Sequence, residues 1–242
     1  TADRLLKGAY DAVEFADAVE EMYERGLSRG EFAGWSSFDR HYTVPRGQWT
    51  VVTGFSSSGK STLVDNMFVN MASLSGWRFL VCSPENQPIQ RHIASLMEIF
   101  IGKKFGKPRQ GWRPELFMTK DEHRAAYEFV CNHFYFINPQ DTEFTVEGII
   151  AIAREVHQRH FQFDGMVLDP YNEIEHKRSA GMTETDYVST VIQKFRHFTR
   201  QLDIHFWFVA HPTKPVRLAV RLNKHDLTDE DQKPVYQKAT LF

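Results

Sequence analysis

Gly54-Phe55-Ser56-Ser57-Ser58-Gly59-Lys60-Ser61-Thr62 follows directly on the apolar run Trp49 to Val52 and opens a stretch of helical periodicity. A strand, a tight glycine-bearing turn and a helix in that order form a cradle for phosphate. The glycines of this G-x-x-x-x-G-K-S pattern let several successive N–H groups face one anionic centre. Lys60 can then reach the β- and γ-phosphates, and Ser61 can offer its hydroxyl to Mg2+. Gly54, Ser57, Ser58, Gly59, Lys60, Ser61 and Thr62 are therefore the candidate nucleotide-binding residues. Lys60 reads as a surface side chain that matters to charge more than to packing.

Outward from this loop, short apolar runs alternate with helical patterns. Trp49 to Thr53, Trp77 to Cys82, Phe134 to Ile137, Gly165 to Leu168 and Ile204 to Ala210 read as strands. Helices are expected from Lys60 and from about Pro88, Thr119, Thr145 and Thr185. The last of these carries Val188, Val191, Ile192, Phe195, Phe198 and Leu202 on one stripe. Strands alternating with helices predict an α/β fold, a largely parallel sheet covered by helices on both faces. Lys103 to Pro114, rich in Gly, Pro and basic residues, reads as an exposed connection. Residues 1 to about 25 form an amphipathic helix and, with a Gly-containing link, fill 1–33 ahead of a main domain at 34–242.

At 242 residues and 42% hydrophobic content the chain can bury one sizeable core. A net charge of −2 excludes a protein coated in positive potential, so any nucleic-acid contact must come from a local basic patch. No apolar run reaches the roughly 18 residues of a membrane span, and no basic n-region precedes an apolar h-region at the start. A soluble intracellular protein with no membrane partner is expected. Cys82 and Cys131 match no metal spacing and read as buried thiols in a reducing compartment. The start at Thr1 and the apolar end Leu241-Phe242 suggest a segment of something longer.

Phosphoryl transfer to water needs a metal beside the phosphates and a carboxylate for the attacking water. Met166-Val167-Leu168-Asp169 is an apolar strand closing on an acid, the form of a Walker B element, so Asp169 joins Ser61 as a candidate Mg2+ residue. Glu85, in Cys82-Ser83-Pro84-Glu85-Asn86, follows another strand where a parallel sheet presents its catalytic carboxyl ends. It is the candidate general base. His211, just past Phe206 to Ala210, is placed to touch the γ-phosphate and report its loss.

Four motifs in order now carry a resemblance. The phosphate loop, Ser83-Pro84-Glu85-Asn86-Gln87-Pro88, Asp169-Pro170-Tyr171-Asn172-Glu173 and Ala210-His211-Pro212-Thr213-Lys214 resemble the RecA-fold motor domain of replicative helicases. The likeness is to phage primase-helicases and the Twinkle-like branch of the DnaB superfamily, and runs from about Gly34 to Lys214. It implies ATP as substrate, Mg2+ as cofactor, catalytic roles for Glu85, Lys60 and His211, and movement with 5'-to-3' polarity. It further implies a homo-oligomeric ring, usually hexameric, with single-stranded DNA in its channel, an arginine supplied by the neighbouring subunit, and a primase domain or partner. A bacterial or phage-infected cytoplasm is the implied setting. No residue up to Phe242 is assigned as that arginine.

DNA contact would fall on loops after the Walker B and sensor strands. Lys177 and Arg178 lie in the first, and Lys214, Arg217 and Arg221 in the second. Alternating Val216, Leu218, Val220 and Leu222 also fit an edge hairpin with solubilising charges. The N-terminal helix either docks on a neighbouring subunit or packs at home. Two rival readings stay open: a RecA-fold ATPase of recombinase or regulatory type that does not unwind, and a nucleotide-gated binding module with negligible turnover.

Overall fold

Phe79-Leu80-Val81-Cys82 and Gly165-Met166-Val167-Leu168 are buried at every residue, as strands covered on both faces must be. The computed structural model of the chain describes residues 10–26, 29–55, 57–108, 110–138, 144–175 and 183–211. Five strands form one sheet: β1 (Trp49–Thr53), β2 (Phe79–Cys82), β3 (Phe134–Ile137), β4 (Gly165–Leu168) and β5 (His205–Ala210). Their order is β1-β5-β4-β2-β3, and all four pairings are parallel.

Period-two alternation divides the sheet between two cores. Leu80, Cys82, Met166, Leu168, Phe206 and Phe208 join α5 (Val146–Arg159) and α6 (Glu184–Leu202) on one face. Phe79, Val81, Val167, Trp207 and Val209 join α2 (Lys60–Ser75), α3 (Ile89–Ile101) and α4 (Lys120–His133) on the other. On that second face Phe68 stacks on Phe79 with centroids 4.2 Å apart and meets Trp207 edge-on at 4.7 Å. Thr119 caps α4 in a reciprocal box with Glu122, and the side chains of Thr145 and Thr183 cap α5 and α6. The doubly covered parallel sheet expected from the sequence is present. Its second and fifth strands begin at Phe79 and His205, slightly inside the apolar runs.

One expectation about the thiols needs correction. Cys82 is buried, and desolvation pushes its thiol up to about 12, but Cys131 is exposed. Ala126 and Val130 point α4 into the core, which turns the adjacent Cys131 about 100° away, toward solvent. Of the two placements left open for the N-terminal helix, the described part does not show the packed one. α1 (Ala16–Arg25), after a 3-10 turn at Ala12–Phe15, has no buried residue, and Val13, Val19 and Tyr23 are 71%, 60% and 84% exposed.

A buried polar chain fastens the segment before β1 to β5. The Pro45 carbonyl can only accept, so His205 Nδ1, 2.7 Å away, carries the proton. Nε2 of the neutral ring then accepts from the Thr50 hydroxyl at 2.9 Å. Thr50 in turn accepts from Tyr42 at 2.8 Å, and Tyr42 accepts from the Trp207 indole at 3.2 Å. Every donor has an acceptor only while His205 is neutral. Burial, partly offset by the Pro45 carbonyl, depresses its pKa to about 4. The unfolded chain, with an ordinary His pKa of about 6.5, binds the proton that the folded chain refuses. Stability is therefore full above about pH 6.5 and is lost as pH falls toward about 4, by up to about 3 kcal/mol from this group. Urea unfolding at pH 7 and pH 5 is expected to show that loss in the parent and a shallower one in His205→Asn. Equal slopes in the two proteins would assign the acid sensitivity to other groups.

Candidate active site

The carboxyl ends of adjacent β1, β5, β4 and β2 carry the phosphate loop, His211, Asp169 and Glu85 respectively. Gly59, at φ +84°, starts α2 in a left-handed conformation that side chains resist. A Cβ on Gly54 would stand 3.0 Å from Ser58 Oγ and 3.5 Å from Lys60 Cδ, so a larger residue there would press on the Ser58 side chain. Ser57 also sits at positive φ, and the Ser58 N–H donates to the Phe55 carbonyl at 3.2 Å. The result is an N-terminal helix end whose free N–H groups lie beside Lys60. Lys60 itself is buried along its stem, with Nζ donating to the Phe55 carbonyl at 2.8 Å. The sequence placed it at the surface; the loop wraps it instead. Thr62 is exposed, and its carbonyl accepts from Asn66 at 2.7 Å.

Asp169 is only 5% exposed, and one carboxylate oxygen, Oδ1, is buried without a partner among the described residues. Its pKa is raised, first by desolvation and then by the neighbouring carboxylates of Asp65 and Glu85; a hydrogen bond from Ser61 and the nearby His211 oppose the rise. The sequence-predicted Ser61, Asp169, Glu85 and His211 thus meet at one point. A hard cation fits there, since Ser61 and Asp169 offer oxygen donors and the buried Oδ1 has no hydrogen-bond partner among the described residues. His211 Nε2 lies 3.3 Å from Glu85 Oε1, and neither ring nitrogen makes a hydrogen bond among the described residues. Lys177, Arg178, Lys214, Arg217 and Arg221 lie outside the described residues.

Three further residues frame the site, none of them assigned a role from the sequence. Asp65, held at 3.0 Å by buried His92, sits one helical turn beyond Ser61, a spacing that was readable in α2. Ser83 donates to the Asp169 carbonyl at 3.0 Å and accepts from Asn86 at 2.9 Å, which ties the Glu85 loop to the Walker B strand. Asn172 Oδ1 accepts the His211 N–H at 2.7 Å. These last two lie in the quoted strand-end boxes, where nothing local gave either a role.

A phosphate loop opening onto a Walker B acid, a strand-end glutamate and a strand-end histidine, all on one parallel sheet, defines a P-loop NTPase core of the RecA-like kind. Comparison with known proteins agrees. Residues 27–79 match the P-loop containing region of AAA domain family. The chain is 35% identical over 210 residues, 86% of its length, to the Twinkle homolog protein, chloroplastic/mitochondrial, of Arabidopsis thaliana, and spans 29% of that relative. Among solved structures, an isolated ATPase domain superposes with a TM-score of 0.67 at 14% identity, covering 93% of this chain and 78% of that one. A DnaB-like replicative helicase, described with its interactions with primase, gives 0.64 at 15% identity, over 91% of this chain and 52% of that one. In sequence, then, the chain is similar to a Twinkle protein. In fold it is a RecA-like α/β P-loop domain, similar to the solved ATPase domain and to the DnaB-like helicase above.

Proposed function

We propose that the chain is an ATP-hydrolysing motor of DnaB/Twinkle type that couples turnover to movement on single-stranded DNA. The observation that carries this reading is the meeting of Ser61, Asp169, Glu85 and His211 beside the Lys60 cradle. Loop N–H groups and Lys60 hold the β- and γ-phosphates, a task that needs positioning and charge rather than covalent chemistry. Mg2+, when held by Ser61 and Asp169, would supply charge neutralisation to the phosphates. Glu85 stands at the solvent side, exposed enough to take a proton from the attacking water. His211, within 3.3 Å of Glu85, reads whether the γ-phosphate is present.

Ser57, Ser58, Gly59 and Glu85 all face solvent, which suits a site completed by a neighbouring subunit in a homo-oligomeric ring. The uncovered apolar side chains of α1 suit docking on such a neighbour. Lys177 and Arg178, with Lys214, Arg217 and Arg221, remain the proposed DNA contacts. Among the described residues no helix is long and apolar enough to cross a membrane. The plant relative is chloroplastic and mitochondrial by name, so the match favours no particular compartment.

The test is strand displacement on a forked DNA substrate with Mg-ATP. Displacement that stops when ATP is replaced by ADP is the expected result. Turnover stimulated by single-stranded DNA without displacement would favour the recombinase or regulatory reading, and binding without phosphate release would reduce the chain to a nucleotide-gated module.

A further inference from the structure

Asn172 lies in the 3-10 turn Tyr171–Glu173, just past the Walker B acid. Its side-chain amide meets both backbone polar groups of His211: Oδ1 accepts the N–H at 2.7 Å, and Nδ2 donates to the carbonyl at 3.3 Å. A neighbouring strand would make the same pair of contacts. The β4–β5 ladder has ended at Leu168 and Phe208, and the β1–β5 ladder at Thr53 and Ala210. Asn172 therefore extends the pairing of β5 to the residue that bears the sensor ring. Without that clamp His211 would be the first free residue after the strand, with its ring direction set by nothing in the sheet.

The ring needs such help. Both its nitrogens are buried without a hydrogen bond among the described residues, a costly state that an unrestrained side chain would relieve by turning to water. Fixing the His211 backbone holds Nε2 at 3.3 Å from Glu85 and keeps its hydrogen-bonding capacity for an incoming oxygen. Asn172 itself is exposed, so its contribution is not that of a packed core residue.

We propose that Asn172 is a positioning residue that clamps the sensor strand end to the Walker B turn, so that His211 stays aimed between Glu85 and the γ-phosphate and both strand ends respond together to nucleotide. This rests on the ATPase reading above. The clamp is a peptide-mimicking amide, and its chemistry can be dissected. Aspartate keeps an acceptor for the N–H but faces the carbonyl with a second acceptor; alanine removes both contacts.

The experiment is a double-mutant cycle on Mg-ATP turnover, with and without a single-stranded oligonucleotide, using the parent, N172A, N172D, H211A and N172A/H211A. Misplacing a reacting group by about 1 Å costs up to about 10²-fold. N172A is expected to lower kcat by about tenfold to 10²-fold, with KM for ATP and ADP affinity within about twofold of the parent. N172D should fall between them. In the H211A background N172A should have no further effect, because it acts through that ring. Thermal melting of each protein separates unfolding from misalignment. If N172A costs as much in the H211A background as in the parent, or raises KM while sparing kcat, the positioning role is wrong and the ATPase reading stands. If the parent itself releases no phosphate from Mg-ATP, the ATPase reading fails first, and the clamp with it.

Discussion

Lys60→Ala is expected to abolish Mg-ATP turnover while leaving a folded protein. Lys60 is the cation inside the phosphate cradle, and removing one such donor from a preorganised site costs about 10²–10³-fold in rate. Its burial raises the question of whether the fold survives. The side chain's only hydrogen bond among the described residues is to the carbonyl of Phe55, itself 39% exposed, so water can replace the ammonium there. α2 keeps its start, since the Leu63 N–H still reaches the Gly59 carbonyl at 2.8 Å. Phosphate release and thermal melting on the same sample check both halves. Unchanged turnover in a folded Lys60→Ala protein would remove the central claim.

Glu85→Gln should keep nucleotide binding and lose turnover by about 10²-fold or more, the ordinary cost of a missing general base. The substitution preserves size and leaves the anchors of the loop intact, because Ser83, Asn86 and Gln87 hold it through their own hydrogen bonds. The contact with His211 persists as a neutral one at 3.3 Å. Isothermal titration with ADP, alongside single-turnover hydrolysis, separates affinity from chemistry. Parent-like hydrolysis would place the base elsewhere, with Glu173, exposed in the turn after Asp169, next in line.

Much of this architecture was legible from local pattern. Phe134 to Ile137 and Gly165 to Leu168 were bounded correctly because a strand inside a parallel sheet is apolar wherever it is paired. Glu85, Asp169 and His211 were legible because an acid or histidine just past such a run lands on the carboxyl edge of the sheet. Ser83 and Asn172 were not, since each works through a partner 86 or 39 residues away that no periodicity encodes. The His205 chain, which joins residues 155 and 160 apart, was invisible for the same reason. Cys131 failed on phase: a helix end tells how near the core a residue is, not which way it points. The amphipathic pattern of α1 announced that a face wants cover without saying from where.

β5 also has a mechanical meaning. It is about 20 Å of strand, laddered on one side to β1 and on the other to β4, with Trp207, Phe206 and Val209 fully buried and its far end pinned by His205. Such a strut is stiff along its length, because bending it would break two ladders and disturb two close-packed cores at once. On the proposed sensor role of His211, a push or pull delivered there by a phosphate would not be absorbed in the sheet behind it. β5 would then serve as an anvil, and the compliance that turns a chemical event into displacement would have to lie on the other side of the blow.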